Sequence, residues 1–157
     1  MTGLRFENEK GAGAAGGLGW ALMTFAGGKM LSGIDFMLDV THFDALISDV
    51  DFIFTGEGKI DFQSVSGKVI SGIGRRARAA GKTVIAVGGC VEPDAVAALK
   101  QTGVTAVESA CTAPCDLNEA MKHAPERLRQ AAARAAEMIK IGILTKKEEE
   151  KNEYNDT

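Results

Sequence analysis

"DFIFTGEGKIDFQSVSGKVISGIGRRARAAGKTVIAVGG", residues 51–89, is the stretch that decides the fold. "DFIFT" reads as a strand by its Phe and Ile content and its glycine boundary. "GKVISGIGRRARAAG" sets Val69, Ile70, Ile73, Ala77 and Ala80 on one side and Arg75, Arg76 and Arg78 on the other, a helix that stops at Gly81. "TVIAVGG" is again an apolar strand. Between the first strand and the helix come two acids, a glutamine, two lysines and three glycines, all within residues 56–68. Polar groups are thus concentrated where a buried strand is expected to end.

The alternation continues outward. "EPDAVAALKQTG" is a helix with Pro93 in its first turn, where a missing N–H costs little. "VTAVES" is a third strand. "DLNEAMKHAPERLRQAAARAAEMIKIG" is a long helix that turns Leu117, Met121, Leu128, Ala132, Ala135 and Met138 or Ile139 inward, with Pro125 dividing or kinking it. Strand, helix, strand, helix, strand, helix implies parallel pairing, because each helix serves as a crossover. Strands apolar at nearly every position are covered on both faces. The expected fold class is therefore α/β, a parallel, doubly wound, Rossmann-like sheet in three layers. Only three clear strands are visible, few for such a sheet, so a partial version of a larger two-domain fold is expected.

Upstream, "GAGAAGGLG" (residues 11–19) is a glycine and alanine loop leading into "WALMTFA", a short buried helix ended by Gly27 and Gly28. "GIDFMLDVTHFDALI" suits one amphipathic helix or a pair, with Ile34, Met37, Leu38, Phe43, Leu46 and Ile47 on the apolar side. The domain reading is a polar segment at 1–10, an α/β domain at 11–144, and a charge-rich tail at 145–157 expected to be disordered.

Bulk properties narrow the class. The chain has 157 residues, 45% hydrophobic and 25% charged, as in a soluble globular domain. A net charge of −3 is too mild to argue for nucleic acid or an anionic membrane as partner. No apolar run approaches the ~20 residues of a membrane helix. "MTGLRFENEK" has no apolar core for a signal peptide, so a cytoplasmic location is expected. Cys90, Cys111 and Cys115 are an odd set of three, against a disulfide framework and in keeping with ordinary free thiols.

In open parallel sheets ligands bind outside the carboxyl ends of strands. Thr55–Asp61 is expected there, with Gly56 and Gly58 allowing a tight turn and close approach to a ligand. The carboxylates Glu57 and Asp61 beside such a turn suit a hard cation such as Mg²⁺. Gln63, Ser64 and Ser66 add neutral hydrogen-bonding groups. Gly67 and Lys68 open the next helix, whose free N–H groups and positive dipole end suit an anion. The same acids could equally be helix caps or solvated turn residues. Lys68 is not the lysine of a P-loop, because Phe62 and Val69 stand where that motif needs Gly and Ser or Thr. "GAGAAG", with Gly11, Gly13, Gly16 and neighbouring Gly17, matches G-x-G-x-x-G by letter but follows the polar "FENEK", not a strand. It either cradles a phosphate or carboxylate or permits tight helix packing. "VGGCVEP", residues 87–93, lines the same crevice or is a plain strand-to-helix turn.

Three ordered blocks, "GAGAAGGLGWAL", "GIDFMLDVTHFDALISDVDFIFTGEGKIDFQSVSGK" and "GIGRRARAAGKTVIAVGG", together resemble the C-terminal part of the bacterial glycerate kinases of the type I family, over roughly residues 11–140. The resemblance implies ATP-dependent phosphorylation of D-glycerate, with Mg²⁺ and with Glu57, Asp61, Gln63 and Lys68 in or near the active cleft. Within that cleft Glu57, Asp61 and Lys68 are the catalytic candidates. Glu57 and Asp61 are the metal candidates, and Gly11, Gly13, Gly16, Gly17, Gly56, Gly58, Gln63, Ser64 and Gly67 the binding candidates. Family members are more than twice this length, so an N-terminal portion acting in trans, or a homo-oligomer, is the expected complement. The alternative is a catalytically incomplete fragment that serves as a non-catalytic or oligomeric α/β module.

Overall fold

The computed structural model of the chain describes residues 6–65 and 67–155. The chain divides into two compact units, Met1–Met37 and Leu38–Thr157.

In the first unit, helix α1 (Ala14–Ala26) opens irregularly. Ala15, Gly16 and Gly17 have φ of 49°, 66° and 96°, so regular helix begins only after them. The Trp20 N–H donates to the Ala12 carbonyl at 3.0 Å and the Ala14 N–H to the Gly11 carbonyl at 3.0 Å, folding the glycine loop onto the helix. A Cβ on Gly19 would sit 2.3 Å from the Gly11 oxygen, so that approach needs glycine. The helix ends at Gly27 in a left-handed cap, where the sequence places its stop. It is less buried than expected: Met23 is buried, while Trp20, Leu22 and Phe25 are exposed. A helix that is apolar all round buries only the side that finds neighbours.

Helix α2 (Gly33–Val40) and the single turn α3 (Phe43–Leu46) are the pair allowed by the sequence, separated at His42, which has φ of 51°. Arg76 clamps them, pairing with Asp39 and with Asp44. Asp39 above all raises the Arg76 guanidinium above its ordinary value.

The second unit then runs β1 (Phe52–Ile60), α4 (Phe62–Val65), α5 (Val69–Ala79), β2 (Thr83–Val91), α6 (Pro93–Gln101), β3 (Ala106–Ser109), α7 (Leu117–Lys122) and α8 (Ala124–Asn155). The strands form one parallel sheet in the order β1-β2-β3. Two successive crossovers in one direction place α5 and α6 on the same face. That face is closed: Ile60, Ile70, Val84, Leu99 and Val104 are fully buried there, together with Ala77, Ala86 and Ala95. Helix α8 packs on β2 and β3 from the other side. The α/β class and parallel three-layer order agree with the sequence.

Three local expectations change. First, β1 and β2 do not stop at their glycines. Gly56 pairs with Val87, Glu57 with Gly88, Lys59 with Cys90 and Ile60 with Val91, so "GEGKI" and "GGCV" are strand. Ladder pairing outweighs the low strand propensity of Gly, Glu and Lys. A Cβ on Gly56 would lie 2.4 Å from the Val87 oxygen and one on Gly89 2.4 Å from the Gly58 oxygen, so these two glycines serve strand pairing. Second, α8 turns Ala135 inward as expected, with Ala131 beside it, but Leu117, Met121, Leu128 and Met138 are exposed. His123 separates α7 from α8, and Pro125 sits in the first turn of α8, where it does no harm. Third, where a disordered tail was expected from residue 145, α8 continues to Asn155. Lys and Glu are good helix formers, and extending an existing helix needs no new nucleus. Residues 1–5 of the expected polar segment, Ser66 and residues 156–157 lie outside the described residues.

Candidate functional site

At the carboxyl end of β1 the predicted polar residues form one hydrogen-bonded set. Glu57 pairs with Gly88 in the ladder, so its side chain leaves the sheet on the same face as Thr55 and Ala86. There the buried Ser64, on the one-turn helix α4, donates its hydroxyl to Glu57 Oε2 at 2.7 Å. The same hydroxyl accepts the Asp61 backbone N–H at 3.3 Å. Asp61 Oδ1 in turn accepts the Gln63 N–H at 2.9 Å, a side-chain cap that starts α4. Gln63 Oε1 accepts from Lys68 Nζ at 3.1 Å. Glu57, Ser64, Asp61, Gln63 and Lys68 are therefore linked, although 11 positions separate the first from the last.

Lys59 belongs to this corner and was not singled out by the sequence. Its ammonium meets Glu92 Oε1 at 2.5 Å and Asp61 Oδ2 at 3.6 Å. Glu92 first, and Asp61 after it, hold Lys59 above the ordinary lysine value. Asp61 is thus neutralised in part by a lysine and capped onto a backbone N–H. Glu57 is bound at one oxygen by a neutral hydroxyl.

Gly67, with φ of 76°, turns the chain into α5. Lys68 is the N-cap residue of that helix, and its own side chain does not cap the first amides. Gln63, Gly67 and Lys68 are exposed, Glu57 and Asp61 half-buried. Gly11, Gly13, Gly16 and Gly17 belong to the first unit. There Gly13 is the N-cap residue of α1, again with no side-chain cap, and the neighbouring Trp20 N–H is already bonded to Ala12.

On the opposite face of the sheet lies a crevice of about 1380 Å³. Its floor includes Phe54, Gly56, Gly58, Val87 and Gly89, and Glu57 borders it. Register puts Phe54 and Gly56 on the face of Ile85 and Val87. Its walls are the loop 110–116 and the faces of α7 and α8 that carry Leu117, Met121, Leu128 and Ala132. Four of the helix residues expected to turn inward from periodicity, Leu117, Met121, Leu128 and Ala132, line this crevice. Asp61, Gln63, Ser64 and Lys68 are not among its lining residues.

The crevice also holds chemistry that the sequence did not single out. Arg127 Nη1 donates to Cys115 Sγ at 2.8 Å and to Cys111 Sγ at 3.2 Å. Cys115 first and Cys111 second raise the guanidinium above its ordinary value. Cys90 lines the same crevice. The regular spacing of the arginine on α8 gave no signal, because its partners lie on a loop that the sequence does not place.

Acids, a helix start and a lysine are gathered here at the carboxyl end of a strand in a parallel α/β sheet, the edge at which open α/β folds in general bind their ligands. Residues 1–140 match the model of the Glycerate kinase family, and the chain belongs to that family. It is 37% identical over 139 residues to a glycerate kinase of Bacillus subtilis, which covers 88% of this chain and 36% of the relative. It is 43% identical over 131 residues to a glycerate kinase of Bacillus cereus, covering 83% of this chain and 34% of the relative. It is 38% identical over 137 residues to a glycerate 2-kinase of Escherichia coli, covering 87% and 36%. A solved structure from Salmonella typhimurium LT2, assigned to glycerate kinase 2, superposes with a TM-score of 0.64 at 38% identity, covering 84% of this chain and 33% of that one. The chain spans about a third of the length of the curated relatives it matches.

Proposed function

We propose that this chain supplies the acidic half of a phosphoryl-transfer cleft, serving the ATP-dependent phosphorylation of D-glycerate. The observation that carries the proposal is the family match, which spans the whole acidic block at 51–68 within residues 1–140. The linked constellation from Glu57 to Lys68 supports it. Phosphoryl transfer is mostly positioning and charge stabilisation, so carboxylates, exposed amides and a lysine are suitable equipment.

Roles follow from the geometry. Lys68 and the helix amides after Gly67 take a phosphate or carboxylate oxygen. The glycine loop ending at Gly16 and Gly17 is proposed for the same kind of anion. Glu57, whose Oε2 accepts from Ser64, is proposed to hold a metal or to accept the glycerate hydroxyl proton through its other oxygen. Mg²⁺ binds through one or two carboxylates and completes its shell with water and phosphate. Glu57 and Asp61 fit that requirement in kind, with Glu57 the better ligand because Lys59 already stands against Asp61. When bound, the ion would neutralise phosphate charge. Among the described residues no helix is long and apolar enough to cross a membrane. A cytoplasmic setting, and completion of the cleft by a second polypeptide portion or a second copy, belong to the same proposal.

A coupled assay of ADP release tests it, run with and without D-glycerate and with and without the separately expressed N-terminal portion of a relative. Glycerate-dependent turnover is expected, reduced roughly a hundredfold or more in Glu57→Gln, the scale of losing a charge-handling or proton-accepting group. Turnover indifferent to glycerate, or to Glu57→Gln, overturns it. Turnover that appears only on adding the N-terminal portion assigns this chain one side of a shared cleft.

A further inference from the structure

Two sulfurs share one cation in the crevice wall. Cys115 Sγ and Cys111 Sγ lie 2.8 and 3.2 Å from the same Arg127 nitrogen, so they cannot be farther apart than those two lengths laid end to end. Among the described residues Arg127 pairs with no carboxylate. Among the described residues no group of three or more His, Cys, Asp or Glu side chains is arranged to hold a metal.

The backbone treats the two cysteines differently. The Cys111 N–H donates to the Gly89 carbonyl at 3.2 Å, and the Ser109 hydroxyl donates to the Cys111 carbonyl at 2.9 Å, continuing the β3 edge two residues past Ser109. Cys115 follows in irregular chain just before Asp116, the N-cap of α7. Cys111 is half-buried and Cys115 exposed. The Arg127 guanidinium, within hydrogen-bond distance of both sulfurs, gathers them at one point of the crevice wall. An anchored thiol, an exposed thiol and a shared cation are the parts of an oxidisable pair.

We propose that Cys111 and Cys115 are a dithiol that hydroperoxides oxidise to an intrachain disulfide. The exposed Cys115 sulfur attacks one peroxide oxygen. The S–O bond forms, the O–O bond breaks, and the departing oxygen takes a proton to leave as water or alcohol. Cys111 then attacks the sulfenic sulfur. The S–S bond forms, the S–O bond breaks, and hydroxide leaves as water with the remaining proton. The two thiols lose two electrons and the O–O bond gains them. Joining the sulfurs removes the two thiols that Arg127 now contacts, which leaves its charge in the crevice. A bond closed over so short and exposed a loop is of the readily reduced kind.

The chemistry is read on the unaltered chain and does not depend on phosphoryl transfer. Cys111 and Cys115 fall in one tryptic peptide, residues 101–122, and Cys90 in another, residues 83–100. After one equivalent of hydrogen peroxide, the 101–122 peptide is expected to lose two hydrogens and resist alkylation, while Cys90 stays alkylatable. Dithiothreitol should restore both thiols. Arg127→Gln should slow the oxidation several-fold, and Arg127→Lys should restore most of the rate. Retention of both hydrogens in excess peroxide, a bond that uses Cys90 instead, or an unchanged rate in Arg127→Gln would each overturn the proposal.

Discussion

The two faces of the sheet differ in what covers them. On the α5 and α6 face, Ile60, Ile70 and Leu99 are each at 0% exposure. On the α8 face, Phe54 is 49% exposed, Leu128 53% and Met121 67%. Both faces are built from apolar residues at the correct periodicity, so composition does not separate them. Topology does. Two crossovers in the same direction deliver two helices to one face, and the chain after β3 returns one long helix to the other. Small alanines let that helix approach β2 and β3, while its larger residues stand over open space.

Truncation on each face breaks or sharpens the contrast. Leu99→Ala removes a fully buried side chain from the closed face and is expected to cost about 2–5 kcal/mol in chemical denaturation. A cost under about 1 kcal/mol would mean that this face is not the core. Ser64→Ala removes a buried hydroxyl serving both Glu57 and the Asp61 N–H, and about 1–3 kcal/mol is expected. A neutral result would show that water replaces it and that the acidic corner is open. Leu128→Ala, a change of the same chemistry as the first but on the half-open wall, is expected to cost less than about 1 kcal/mol. A cost equal to that of Leu99→Ala would show that the crevice is covered in solution.

The alternation of strand and helix was legible because each segment had a clean period and a glycine or proline stop, as at Gly27, Gly81 and Pro93. The extent of β1 was not, because "GEGKI" has nothing strand-like in it and becomes strand only through pairing with β2. Periodicity found the apolar stripe on α7 and α8 but could not tell a stripe facing a core from one facing a crevice. The acidic block was legible as a place and not as a network. That Ser64 would join Glu57 to Asp61 depends on α4 being a single turn. The thiol pair with Arg127 was not visible at all, since it joins a loop to a helix 12 positions and more downstream.

Glu57 sits on a strand, not on a loop, and this bears on how any ligand reaches it. Its backbone is held against Gly88, so only its side-chain torsions remain free, and Ser64 already restrains those. The carboxylate is a fixed jig rather than a swinging arm: the work of alignment falls on whatever docks there, and a poorly shaped guest gains no accommodation from the host.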